Sequence, residues 1–269
     1  MAAVRLNAID LFSMYMQVAG VPTLEPEPVA DPALRGRKLG LVNGSAWIML
    51  WSYYFGRRLL PGVKLVNVGN EAVQLNFMAA HSKGESGPPG ANIDAFVRCA
   101  EDLVKLQHVD AILLTCSTMN RSAEAVRDAM GKHSIPVVQI DEPLMEDAVR
   151  HGGEILVVAT HGPTVASTHA LLGEAGDRLG KEVTFSGATV EEAFALLGQG
   201  DIGGHNEVIA DTIRRRCSRG RIGVVVLAQL SMSVFKLSYP DCESEFGVPV
   251  LTSAESGFER VRVVLLGRG

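Results

Sequence analysis

One strand-to-turn segment occurs twice in this chain, and both copies are followed by the same spacing. The first reads Val109-Asp-Ala-Ile-Leu-Leu-Thr-Cys116-Ser-Thr-Met119, the second Ile222-Gly-Val-Val-Val-Leu-Ala-Gln229-Leu-Ser-Met232. Each is an apolar run that ends in small polar residues and a helical pattern. Downstream, Pro136-Val-Val-Gln-Ile-Asp-Glu-Pro143 echoes Pro249-Val-Leu-Thr-Ser-Ala-Glu-Ser256, and 20 positions separate Cys116 from Pro136 as they separate Gln229 from Pro249. A chain that repeats strand, turn, helix and strand at one spacing is constrained to two half-domains of one design. Cys116 and Gln229 then stand at equivalent places, an ionisable sulfur in one half and an amide in the other.

Strand and helix patterns alternate from Lys38 onward. The strands predicted are Lys38–Asn43, Val63–Val68, Val109–Thr115, Pro136–Ile140, Glu154–Ala159, Glu182–Phe185, Ile222–Ala228 and Pro249–Thr252. Most are short runs rich in Val, Ile and Leu without polar alternation, as expected of strands covered on both faces. Helical patterns over Ile93–Leu106, Ala123–Met130 and Val165–Leu179 lie between them. Alternating βα units imply parallel sheets with right-handed crossovers. The fold class expected is α/β, with two pseudo-symmetric half-domains, each a four-stranded parallel sheet flanked by helices, and an active site in the cleft between them. Residues 1–35 read as an N-terminal arm, with a short helix or arm over Leu11–Val18 and an extended Pro/Glu-rich stretch from Pro22 to Pro32. Residues 36–142 plus 254–269 read as the first half-domain, 143–253 as the second. The aromatic stretch Trp47–Phe55 reads as a core helix or a dimer face, and Gly84–Gly90 as a surface loop with a lid as the alternative.

Composition narrows the function classes. Hydrophobic residues make up 47 % and charged residues 20 %, and the net charge is −5, which favours neither nucleic acid nor an anionic membrane. No apolar run is long enough to span a bilayer and the N-terminus lacks a signal-peptide pattern, so a cytoplasmic location is expected. The cysteines Cys99, Cys116, Cys217 and Cys242 form no CxxC pair, and no His cluster has metal-ligand spacing. The arm and the apolar helix suggest a homo-oligomer.

In parallel sheets, ligands bind beyond the carboxyl ends of the strands. That rule selects Asn43, Gly44 and Ser45; Cys116, Ser117 and Thr118; Asp141 and Glu142; Thr160 and His161; Gln229 and Ser231; and Thr252 and Ser253, and Thr164 joins Thr160 at the next helix start as a carboxylate holder. The set is small, polar and rich in hydroxyls, which suits an anionic small ligand held by N–H groups and hydroxyls. Cys116 stands where a strand meets a helix start, a position that favours the thiolate. It is the candidate acid/base, against the bland reading of a buried structural cysteine that we prefer for the other three. Ser45 and Thr160 also read as helix caps, His161 also as an exposed loop residue. Asp141 and Glu142 read as successive residues of an extended chain, one of them capping a helix that starts at Pro143, with Glu142 a candidate catalytic helper. Asn206 and Glu207 are weaker candidates, and the basic cluster of Arg214–Arg216 and Arg219 reads as a solvated helix end.

With these residues in hand, the chain resembles the aspartate/glutamate racemase superfamily, which includes glutamate, aspartate and hydantoin racemases, maleate isomerase and arylmalonate decarboxylase. The resemblance covers about 38 to 266. It rests on Leu114-Thr-Cys-Ser-Thr118, Val158-Ala-Thr-His-Gly-Pro-Thr164, Leu227-Ala-Gln-Leu-Ser-Met232 and Ile140-Asp-Glu-Pro-Leu-Met-Glu-Asp-Ala-Val149. It implies a site between two α/β halves, no metal, nucleotide or pyridoxal cofactor, and a small carboxylate or dicarboxylate substrate with an acidic carbon. Racemases of this type use two cysteines on opposite faces of that carbon. The first position matches as Cys116; the second is Gln229, and an amide has no useful pKa for taking or giving a proton. The expected function is therefore a cofactor-independent isomerase or racemase-like enzyme with one thiol, helped by His161, Glu142 or Gln229. The alternatives are a cofactor-free decarboxylase in which Cys116 protonates a carbanion, addition of Cys116 to a double bond, and a carboxylate-binding protein without turnover. Asn43, Ser45, Ser117, Thr118, Thr160, Thr164 and Ser231 are the expected substrate-binding residues.

Overall fold

A computed structural model describes Asp10, Leu11, Met14, Val18, residues 31–85 and residues 87–267. The helix read over Leu11–Val18 is described only at Leu11, Met14 and Val18, which are helical; the extended reading of Pro22–Pro32 lies outside the described residues except at Asp31 and Pro32. The chain divides into two compact units, one running from Phe12 to Ile140 and resuming at Gly257, the other containing Asp141–Ser256.

The first unit contains β1 (Lys38–Asn43), α1 (Ala46–Leu59), β2 (Lys64–Gly69), α2 (Glu71–Ser82), α3 (Gly90–Gln107), β3 (Ala111–Leu114), a 3-10 helix (Ser117–Ser122), α4 (Ala123–Gly131) and β4 (Val137–Gln139). Its sheet is parallel in the order β2-β1-β3-β4, with Val42 beside Leu114. Leu39, Leu41, Ile112, Leu113 and Leu114 are all buried, which is why these strands carry no polar alternation. The aromatic stretch is part of α1, with Trp51, Tyr54 and Phe55 buried.

The second unit repeats the plan with α5 (Asp141–His151), β5 (Glu154–Ala159), α6 (Gly162–Leu179), β6 (Thr184–Thr189), α7 (Glu191–Gly198), α8 (Ile202–Cys217), β7 (Ile222–Leu227), a 3-10 helix (Leu230–Val234), α9 (Phe235–Ser238), α10 (Cys242–Phe246) and β8 (Val250–Thr252). The sheet is parallel in the order β6-β5-β7-β8. Leu156, Val158, Val225 and Leu227 enter one core cluster, while Ile155, Val157, Val224 and Val226 enter another. The alternation assigns successive residues to opposite faces, so both faces are covered. The last helix, α11 (Ser253–Leu265), crosses the boundary between units, with Phe258, Val261 and Leu265 buried.

The sixth strand differs from the sequence reading. It spans Thr184–Thr189 rather than Glu182–Phe185, because the pairing continues through Ser186-Gly187-Ala188, where no apolar run marks it. Gly187 is there for space: a Cβ at this position would lie 2.5 Å from Val165 Cγ1 on α6.

The internal repeat extends to polar packing. On α3, Asn92 Nδ2 donates to the Val73 carbonyl of α2 at 3.0 Å. On α8, His205 Nδ1 lies 2.7 Å from the Ala193 carbonyl of α7. A carbonyl only accepts, so Nδ1 carries the proton. His205 is fully buried, its Nε2 has no partner among the described residues, and burial pulls its pKa below the ordinary histidine value. The unfolded chain therefore binds a proton more readily than the folded one. Stability is full above the unfolded pKa of about 6.5 and falls as pH drops toward the lowered folded value. Thermal unfolding followed on both sides of that pH should show this loss, and His205→Asn, which copies Asn92, should flatten it.

Candidate active site

In each sheet the chain leaves the two central strands toward opposite sides, so their carboxyl ends flank a crossover point where open α/β sheets bind ligands. In the first unit this point lies at the ends of β1 and β3. Thr115 N donates to the Val42 carbonyl at 3.1 Å, and Met119 N donates to the Cys116 carbonyl at 3.0 Å, closing the turn over which Cys116 presides. The second unit builds the same latch: Ala228 N donates to Val158 at 3.0 Å and Met232 N to Gln229 at 3.0 Å. Cys116 and Gln229 are thus the first residues of two equivalent turns, each within its own unit.

Cys116 is 3 % exposed. Its Sγ lies 3.2 Å from Thr118 Oγ1 and 4.0 Å from Gln74 Oε1, and the Thr118 hydroxyl donates to Gln74 Oε1 at 3.4 Å. Gly44 makes room for the sulfur, since a Cβ there would stand 2.6 Å from Sγ. The helix that begins after Cys116 is a six-residue 3-10 segment with a non-helical Met119, not the start of an α-helix. Its dipole is correspondingly short, and a hydroxyl and an amide oxygen stand beside the thiol. The remaining thiols differ in surroundings. Burial pushes the pKa of Cys99 and Cys217 up and that of Cys242 up to about 11, which keeps them protonated.

The other predicted residues of this unit have defined places. Asn43 Oδ1 accepts from Ser52 Oγ at 2.8 Å and Thr115 Oγ1 at 2.7 Å, while Nδ2 donates to Leu41 and Val68 carbonyls. Its amide ties β1 to β2, α1 and the residue before Cys116. Ser45 caps α1, accepting from Ile48 N at 3.3 Å. Ser117 is half-buried beside Cys116.

At the second crossover point, Gln229 Oε1 accepts from Thr160 N at 2.7 Å and from Thr160 Oγ1 at 2.9 Å. Thr160 therefore holds Gln229 and does not cap α6, whose N-terminus has no side-chain cap. With Oε1 engaged, the Gln229 NH2 group is the free end of that amide, without a partner among the described residues. His161 precedes α6, half-buried, its ring 4.7 Å from Phe194; burial lowers its pKa despite Glu191, so the imidazole is neutral at neutral pH. Thr164 and Ser231 are buried, Ser231 standing two residues after Gln229 as Thr118 stands after Cys116.

Two further placements revise the sequence reading. Asp141 and Glu142 are not extended: α5 begins at Asp141, so both occupy its first turn, where carboxylates favour the positive helix end. Asn206 is buried, its Nδ2 donating to the Val234 carbonyl and Ser238 Oγ, and it pins the segment after Gln229. Gln74 and Phe194 were not anticipated. Both sit on the helix after a sheet-edge strand, α2 after β2 and α7 after β6, and the strand-end rule applied to those two strands points to these helix starts but not to the individual residues. No group of three His, Cys, Asp or Glu side chains among the described residues is arranged to hold a metal ion, and no helix among them is long and apolar enough to cross a membrane.

Residues 79–261 match the family model of Asp/Glu/hydantoin racemase. Among solved structures, an aspartate racemase from Picrophilus torridus superposes with a TM-score of 0.60 at 14 % identity, covering 86 % of this chain and 95 % of that one. A glutamate racemase from Bacillus anthracis gives 0.58 at 16 % identity, with 87 % and 84 % covered. An allantoin racemase from Klebsiella pneumoniae gives 0.56 at 17 %, with 86 % and 89 % covered. At these identities the likeness is one of fold. No curated protein sequence matches the chain significantly.

Proposed function

The chain belongs to the Asp/Glu/hydantoin racemase family of isomerase and racemase enzymes, and we propose that it moves a proton, without a cofactor, at a carbon next to a carboxylate, with Cys116 as the acid/base. The carrying observation is a buried thiol at the crossover of its sheet, with a hydroxyl 3.2 Å from sulfur and space kept open by Gly44. A thiol so placed takes a proton from an acidic carbon or returns one. The enolate-like charge that develops is met by N–H and hydroxyl donors of the Ser117–Thr118 turn, and a preorganised donor of this kind contributes about 3–4 kcal/mol.

Gln229 acts in this reading as a hydrogen-bond donor. Its oxygen accepts from Thr160, which leaves N–H for a substrate oxygen, and the amide has no proton to exchange at working pH. The family's two-thiol scheme is replaced by one thiol, with neutral His161 as the proposed second proton carrier. The substrate is a small carboxylate or dicarboxylate, and we propose a homo-oligomer, which native mass spectrometry tests.

The same amide favours one second reading, decarboxylation, because protonating a carbanion left by CO2 needs a thiol on a single face. Incubation of carboxylates in D2O separates the two. Deuterium at the acidic carbon without CO2 release supports proton transfer, CO2 release with deuterated product supports decarboxylation, and a panel showing neither removes both.

A further inference from the structure

We propose that Gln74 is a positioning residue that holds the Cys116 thiol in its protonated form between turnovers. The role rests on reading Cys116 as the acid/base. Gln74 Oε1 lies 4.0 Å from Sγ and receives the Thr118 hydroxyl at 3.4 Å, so one amide oxygen faces both the S–H and the O–H. An oxygen that only accepts stabilises the neutral thiol and offers nothing to a thiolate.

The side chains that carry or can take a charge on the elements around this turn, within the same unit and Cys99 aside, are Glu71 and His81 on α2, Asp94, Arg98, Glu101, Asp102 and Lys105 on α3, Arg121 in the 3-10 segment, and Glu124, Arg127 and Asp128 on α4. Glu101 and Arg127 are half-buried and the others exposed, and Glu71 Oε2 accepts from Ala46 N at 2.8 Å. Water and salt screen exposed groups of this kind, whereas the uncharged Gln74–Thr118 pair stands against the sulfur.

The pair also accommodates the other protonation state. When the thiol delivers its proton, the S–H bond breaks, the carbanion's electron pair becomes the new C–H bond, and the S–H pair stays on sulfur. The Thr118 hydroxyl, 3.2 Å from Sγ, then turns its hydrogen from Gln74 to the thiolate.

The test reads the thiol and needs no substrate. The full-length protein and its variants are treated with iodoacetamide from about pH 6 to 10, and modification at residue 116 is followed by mass spectrometry. Gln74→Ala removes the acceptor and admits water, so the midpoint should fall and the rate at neutral pH rise about tenfold, the change expected for one pKa unit. Gln74→Glu keeps the acceptor oxygen and adds charge, so its midpoint should rise above that of the parent. A Gln74→Ala profile that superimposes on the parent, or a Gln74→Glu profile that moves down, overturns the proposal. Circular dichroism confirms the fold of each variant, and Gln74→Glu decides alone if the alanine variant unfolds. Shifted profiles in a protein that turns over no carboxylate would leave Gln74 its role and remove the enzymatic reading; unshifted profiles in an active enzyme would do the reverse.

Discussion

Cys116→Ala is expected to lower kcat by about 10³-fold or more, with substrate affinity nearly unchanged. A positioned acid/base contributes about 10²–10⁴ in rate, and a 10³-fold loss corresponds to about 4 kcal/mol of barrier. The two side chains recorded against the sulfur do not replace it. Thr118 and Gln74 touch the sulfur but do not ionise near neutral pH, and Gln229, at the equivalent place in the other unit, is an amide. Asn43, Thr115 and Ser52 are bonded to one another rather than to Sγ, so the turn should keep its shape without the sulfur. Steady-state kinetics with the substrate found in the D2O screen, together with direct binding to the variant, is the measurement. Unchanged kcat would remove Cys116 from the mechanism.

Gly44→Ala is expected to cost about 10²-fold in kcat/KM, because a 1 Å displacement of a reacting group has an effect of that size. The added Cβ would stand 2.6 Å from Sγ, closer than non-bonded atoms approach, and in a tight 3.3 Å contact with the Cys116 Cβ. The sulfur is one bond from its Cβ and has no flexible stem to absorb the clash. The thiol must rotate or the turn must shift, and the 3.2 Å contact with Thr118 changes in either case. Iodoacetamide modification at residue 116 should lose its parental pH profile in the same variant. Kinetics and alkylation equal to the parent's would mean that the turn yields without consequence.

Much of this architecture was legible in the sequence because parallel strands buried on both faces leave dense apolar runs. Lys38–Asn43 and Glu154–Ala159 were read with their observed bounds, and the turn after each central strand stands out by its abrupt change to small polar residues. The β6 strand was misplaced because Ser186-Gly187-Ala188 pairs at an edge without an apolar signature. Gln74 was missed for a different reason. It reaches the thiol from one turn inside α2, and helical position alone does not tell which tertiary neighbour a side chain meets. Thr160 looked like a helix cap because Thr before a helix usually is one; its bond to Gln229 spans 69 residues of sequence, beyond any local rule. Asp141 and Glu142 lie in a helix because α5 starts two residues before the proline that signalled it.

The matching peptide hydrogen bonds that fasten both turns, Met119 to Cys116 and Met232 to Gln229, run entirely through main-chain atoms. The main chain of each socket is therefore fastened without help from the group it displays, while Gly44 and Thr160 fit each socket to its own side chain. The backbone thus sets where chemistry is displayed, and the residues around each turn set which chemistry it is.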